Sequence, residues 1–207
     1  MQWRGGIDEA GYGAVLGPLV HGGVAASSDF DWKSSFSKNG LKVDDSKKVY
    51  RSGEGVADLE LAALFAARLG GWEGTNLESL LCFLSGSEFS CTHSKDIWLP
   101  ANISLPVFCS NVPDCKPAQG MFRPYARLTF PCDFNLLLSL HNKSGLAMAR
   151  LYGVMRRMIV QFGNEGSIVV DKQGGRNCYA PYLFKRFKGS MVLASQEGAA
   201  QSAYRIG

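Results

Sequence analysis

No apolar run in this 207-residue chain approaches the roughly 18 residues that a membrane-spanning helix needs. Nor does Met1-Gln2-Trp3-Arg4-Gly5-Gly6-Ile7 carry the basic start and apolar stretch of a signal peptide. A cytoplasmic protein with no membrane partner is therefore expected. There is no Cys-x-x-Cys pair, so Cys82, Cys91, His93, Cys109 and Cys115 read as ordinary reduced thiols and a histidine rather than as a zinc site. No Gly-x-Ser-x-Gly elbow or His-Glu-x-x-His helix is present, and no glycine precedes Lys-Ser or Lys-Thr in a Walker A frame. His21 and His141 belong to no recognisable motif and read as packing or surface residues. Repeats and low-complexity tracts are also missing, and no linker marks a second domain.

Against these absences stand 24 glycines, a hydrophobic content of 46% and a formal charge of +4. The length suits one domain with a real core. The mild positive charge permits a polyanionic partner without requiring one.

The apolar pattern changes period along the chain, which predicts an α/β or α+β fold. Residues 19–26 read as a strand, and 27–39 as a connection with a short helical turn. Helical spacing runs from Gly55 to Leu69, where Gly70-Gly71 supplies a stop. Thr75-x-x-Glu78 matches a capping box ahead of a helix over 76–85. Residues 85–117 read as loop and 124–130 as a strand. The clearest helix spans 143–162: Leu151, Val154, Met155, Met158, Ile159 and Phe162 form one stripe, while Arg150 and Arg157 share another face. The runs Ser167–Val170 and Met191–Ala194 read as buried strands, with a helix near Tyr179–Phe187 between them.

A short strand containing Gly5-Gly6 is also expected ahead of Asp8-Glu9, so acids stand at or just past three expected strand ends: Asp8-Glu9, Asp171 and Glu197. Open α/β sheets bind ligands at the carboxyl ends of strands. If the four carboxylates converge, they must share protons or bind cations, and all-oxygen ligands select Mg²⁺ or Mn²⁺. Two such ions about 4 Å apart clamp both oxygens of a phosphodiester displacement. The plainer alternative is that each acid is a solvated loop residue. Gly11-x-Gly13-x-x-x-Gly17 invites a dinucleotide turn, but two acids precede it and Pro18 interrupts the required helix. In Asp44-Asp45-Ser46-Lys47-Lys48, Ser46 reads as a helix cap or, with Lys47 or Lys48, as a phosphate contact.

Ile7-Asp8-Glu9-Ala10-Gly11-Tyr12-Gly13, followed by Leu16-Gly17-Pro18-Leu19-Val20, resembles the opening of the ribonuclease HII family. Asp44-Asp45-Ser46-Lys47-Lys48 resembles that family's Asp-Ser-Lys-Lys motif, and Val169-Val170-Asp171 with Gly174-Gly175-Arg176 its third acidic strand end. The resemblance implies an α/β, ribonuclease H-like fold, a mixed sheet with helices on both faces. It also implies metal-dependent cleavage of the RNA strand of RNA/DNA hybrids, leaving 5′-phosphate and 3′-hydroxyl ends. Asp8, Glu9 and Asp171 then match catalytic metal-binding acids, with Glu197 near the fourth. Gly11, Tyr12, Gly13, Ser46 and Lys47 match substrate-binding positions, and two Mg²⁺ or Mn²⁺ ions are the implied cofactors.

Three departures accompany the resemblance. Tyr12 stands where the family has Arg, removing a fixed charge and a five-donor fork. Glu197 replaces the usual Asp and is one methylene longer. Residues 70–140 look like an insertion, and the chain stops where the family continues into helices, so a shortened C-terminus is expected. The expectation is a single-domain monomer acting on RNA/DNA hybrids. The alternatives are a non-catalytic nucleic-acid-binding relative and a nucleotide-dependent enzyme using the Gly11–Gly17 turn.

Overall fold

A computed structural model describes residues 2–11, 17–44, 46–50, 55–86, 103–139, 142–171, 177–198 and 202–207, without the side chains of residues 46 and 47. A four-stranded mixed sheet holds the molecule together, in the order β3-β2-β1-β4. Strand β1 (Trp3–Ala10) pairs antiparallel with β2 (Leu19–Ser27), which pairs antiparallel with β3 (Phe122–Thr129). On its other side β1 pairs parallel with β4 (Gly166–Val170), from Trp3 opposite Gly166 to Ile7 opposite Val170. Helices cover both faces, so the architecture is α/β and consistent with a ribonuclease H-like fold.

Two cores form because side chains alternate across the sheet. One face carries Trp3, Ile7, Ala25 and Tyr125, packed by Met148, Leu151, Val154, Met158 and Phe162 of α6 (Lys143–Phe162). This is the stripe expected from the sequence, and Val154 and Met158 are fully buried. Burial of a side chain of this size contributes about 1.5–3 kcal/mol. Asn142 caps the start of α6 by accepting the Gly145 N–H at 2.7 Å, and Gly163 ends it with φ +87°. The Trp3 indole N–H donates to the Gly163 carbonyl at 2.9 Å, tying the start of β1 to the end of α6.

The opposite face carries Ala26 and Phe122 against Phe36, Leu64, Phe65 and Leu80. Phe36 belongs to α1 (Trp32–Ser37), Leu64 and Phe65 to α3 (Gly55–Leu69), and Leu80 to α4 (Leu77–Ser85). A short α2 (Ser46–Tyr50) precedes α3. Helix α3 spans the residues expected, and Gly71 beyond it takes φ +95°. Residues 70–140, read as an insertion, supply α4, β3 and α5 (Pro131–Leu138).

Three expectations are corrected. The capping box does not form: Asn76, not Thr75, caps α4 by accepting the Ser79 N–H at 2.8 Å. Strand β4 is not buried on both faces, because it lies at the sheet edge and leaves Val169 74% exposed. Nor does the run around Val192 join the main sheet. It forms β5 (Val192–Gln196), pairs antiparallel with β6 (Ala203–Ile206), and is exposed beyond Val192. Between β4 and β5 lies α7 (Ala180–Arg186), close to the helix expected there.

Candidate functional site

The parallel ladder carries β1 and β4 to the same end of the sheet. The Asp171 backbone N–H donates to the Ile7 carbonyl at 3.2 Å, so Asp171 sits beside Asp8 on the neighbouring strand. Adjacent strands lie roughly 4.8 Å apart, which sets the spacing of these two backbones. Both residues are solvent-exposed. Asp8 Oδ1 accepts the Glu9 backbone N–H at 2.7 Å, which holds its carboxylate against the strand end.

Glu9 follows the strand's alternation to the other face. It lies opposite His21 of β2, which in turn lies opposite Arg127 of β3. His21 is fully buried, and Glu9 Oε2 is shielded from solvent. Adjacent acids on one strand therefore address two different surfaces. Asp8 and Asp171 share the open rim, while Glu9 faces the α6 side in line with a histidine and an arginine.

Gly11 closes the turn after β1. Its φ of +85° lies in the left-handed region, and a Cβ there would stand 2.6 Å from the Pro18 carbonyl oxygen. Only glycine fits without moving backbone. Tyr12, Gly13, Asp45, the side chains of Ser46 and Lys47, and Gly174-Gly175-Arg176 lie outside the described residues. Lys48, next to Lys47, pairs with Asp44 at 3.1 Å on the surface of α2.

Glu197 is held by its own hairpin. The Tyr204 hydroxyl donates to Glu197 Oε1, and the same hydroxyl accepts the Tyr179 N–H at 2.7 Å. The Tyr204 hydroxyl, followed by the Cys178 thiol, lowers the Glu197 pKa below the ordinary glutamate value. Because β5 pairs with β6 and not with β4, Glu197, just past β5, does not follow a strand of the sheet whose strands bring Asp8 and Asp171 together.

The convergence of four carboxylates is consequently not assembled among the described residues. No group of three or more His, Cys, Asp or Glu among them is placed to hold a metal ion. The donor chemistry of Asp8 and Asp171 suits Mg²⁺ or Mn²⁺, but strand alternation turns Glu9 away and hairpin pairing engages Glu197. The rim offers a pair of hard ligands, not a closed set.

A second feature escaped the sequence reading. Arg123, Arg127, Arg150, Arg156, Arg157 and Arg186 line one open groove beside α6. Only the seven-residue spacing of Arg150 and Arg157 signalled it; Arg156 also lies on α6, while β3 brings Arg123 and Arg127 and α7 brings Arg186 through tertiary structure.

A mixed sheet with acids at the ends of adjacent parallel strands defines the class: an α/β protein with an acidic rim. Residues 5–53 match the family model for ribonuclease HII, the stretch that holds most of β1 and all of β2, α1 and α2. The chain thus resembles a divergent member of that family over these residues, which supports a ribonuclease H-type hydrolase in general terms. No curated protein and no solved structure matches the chain. Among the described residues, no helix is long and apolar enough to cross a membrane.

Proposed function

We propose that this chain is a metal-dependent endonuclease that cleaves the RNA strand of RNA/DNA hybrids to 5′-phosphate and 3′-hydroxyl ends. The observation that carries the reading is the position of Asp171 beside Asp8, two acids far apart in sequence, with Asp8 inside the stretch that matches ribonuclease HII. Asp8 and Asp171 are the catalytic acids and metal ligands in this reading; Glu9 and Glu197, which the resemblance also implies, face other surfaces in this structure and stand outside that pair. Gly11, Tyr12, Gly13, Ser46 and Lys47 contact the substrate. When bound, Mg²⁺ or Mn²⁺ supplies activation of water and neutralisation of phosphate charge. The chain's own acids position the ions, and Gly11 lets backbone approach the strand being cut.

The test is cleavage of an end-labelled RNA/DNA hybrid by the purified chain with Mg²⁺ or Mn²⁺. Wild type should cut the RNA strand, and Asp171→Asn and Asp8→Asn should each lose cleavage by at least 100-fold. Intact hybrid and intact single-ribonucleotide duplex in the wild-type reaction would sink the reading. The engagement of Glu197 by Tyr204 favours one second reading, a nucleic-acid-binding relative without turnover. That alternative predicts salt-sensitive binding of the hybrid and no product.

A further inference from the structure

The arginine groove is separate from the Asp8–Asp171 rim and lies on the α6 side of the sheet. Its volume is about 660 Å³. Six arginines and no Asp or Glu line it among the described residues, more positive charge than the formal +4 of the whole chain. Like charges gathered around one concavity repel, so such an arrangement raises the local affinity for an anion.

The fold builds the groove deliberately into its frame. The Arg123 guanidinium stacks over the Phe83 ring at 3.6 Å and donates to the carbonyls of Phe83 and Gly70 at 2.9 and 3.3 Å. Arg157 donates to the Ala126 carbonyl at 3.2 Å and lies 5.1 Å over the Tyr125 ring. Tyr125 is fixed in turn by its hydroxyl, which donates to Gln161 at 2.7 Å. Arg127 lies against Gly153, where a Cβ would stand 1.9 Å from its Nη1, so glycine in mid-helix makes room for a guanidinium. Arg156 and Arg186 are exposed at the mouth, with Arg186 5.7 Å over the Tyr152 ring.

The chemistry is that of phosphate. Among the described residues every cation lining the groove is an arginine, whose planar fork binds phosphate oxygens in pairs, and none is a lysine. Its position adds direction. Arg127 is in register with His21 and Glu9, so the groove starts two strands, roughly 10 Å, from the acid-bearing strand β1. It then runs along α6 past Arg157 to Gln161, away from that end of the sheet.

We infer that this groove binds the phosphodiester backbone of a nucleic-acid strand, independently of metal. The inference adds a binding surface to the proposed nuclease and does not need turnover to be tested.

The experiment is fluorescence anisotropy of a labelled 12-nucleotide RNA in EDTA, with the full chain and with Arg156→Glu/Arg186→Glu. Single-stranded RNA should bind wild type. The double variant should bind at least tenfold more weakly, and its dependence of log affinity on log salt should be shallower by about 1.4, the value for two lost contacts to a single strand. Thermal melting checks the fold of the variant, and Arg156→Gln/Arg186→Gln carries the same comparison if charge reversal unfolds the chain. A duplex DNA arm tells whether the groove takes one strand or the backbone of either form. Unchanged RNA affinity in both folded variants overturns the inference. So does poly-glutamate displacing the RNA as well as unlabelled RNA does, which would assign the groove to an acidic protein. Because EDTA excludes metal-dependent cleavage, a chain that binds RNA here but cuts no hybrid keeps this inference and loses the proposed activity. One that cuts hybrid without arginine-dependent binding does the reverse.

Discussion

Glu60 of α3 accepts the backbone N–H of Phe108, 48 residues further along the chain, at 2.7 Å. The flanking N–H groups of Val107 and Cys109 donate to the same carboxylate at 2.7 and 2.8 Å. One side chain thus satisfies three successive loop donors. It fastens residues 107–109, a segment with no regular hydrogen bonding of its own, to a core helix.

Replacing Glu60 by Gln should lower stability by about 1–3 kcal/mol, since donors lose a charged acceptor. Chemical denaturation at neutral pH measures this. Burial pushes the Glu60 pKa up, but the three backbone donors outweigh it and leave the value below the ordinary one. A lowered carboxylate pKa gives stability that is complete above the unfolded value and fades as pH falls through the folded one. The gap between wild type and Glu60→Gln should therefore narrow below about pH 4.5.

The identity of the α4 cap gives a second prediction. Asn76→Ala should cost about 1 kcal/mol, the usual loss for a side-chain cap, while Thr75→Ala should stay within about 0.5 kcal/mol of wild type. Equal losses at both positions in a denaturant titration would show that Thr75 shares the capping.

Gly11→Ala should be costly in spite of the small change. Alanine pays for a left-handed backbone and meets the Pro18 carbonyl, which cannot swing aside as a side chain can. A loss of about 1–3 kcal/mol is expected, read from denaturant midpoints. Gly40→Ala, also at positive φ but with open space around its Cβ, separates strain from collision and should cost less.

The Tyr204–Glu197 contact predicts a titration shift. Tyr204→Phe removes the hydroxyl that chiefly lowers the Glu197 pKa, so this carboxylate should titrate at higher pH than in wild type. In wild type the stabilisation from this contact is present above the unfolded glutamate value and is lost as pH falls through the lowered folded value. Carboxyl NMR of the two proteins reads the shift directly, and coincident curves would show that the contact does not form in solution.

Elements with a strong period and clear stops were legible in the sequence. Helix α6 carries a complete apolar stripe, and α3 ends in paired glycines. Helix α5 escaped because Leu136, Leu137 and Leu138 are consecutive, so no face emerges; Leu136 is 67% exposed. Strand β6 escaped because four residues near the chain end carry too little pattern. The site was half legible. Acids at strand ends marked Asp8 and Asp171, but adjacency of Asp8 and Glu9 in sequence suggested one cluster where strand geometry gives two faces. The arginine groove draws on β3, α6 and α7, and no local pattern connects them.

Strand β4 is joined to the sheet by a single parallel ladder, and among the described residues nothing pairs with its outer edge. In such a ladder only alternate amides of the edge strand are protected, whereas β1 lies between two neighbours. Exchange of amide hydrogens should therefore be fastest in β4 and slowest at the centre of β1 and β2. Asp8 lies on a central strand of the sheet and Asp171 just past an edge strand. Any opening of this five-residue strand from β1, its one strand partner among the described residues, would therefore change the distance between the two carboxylates.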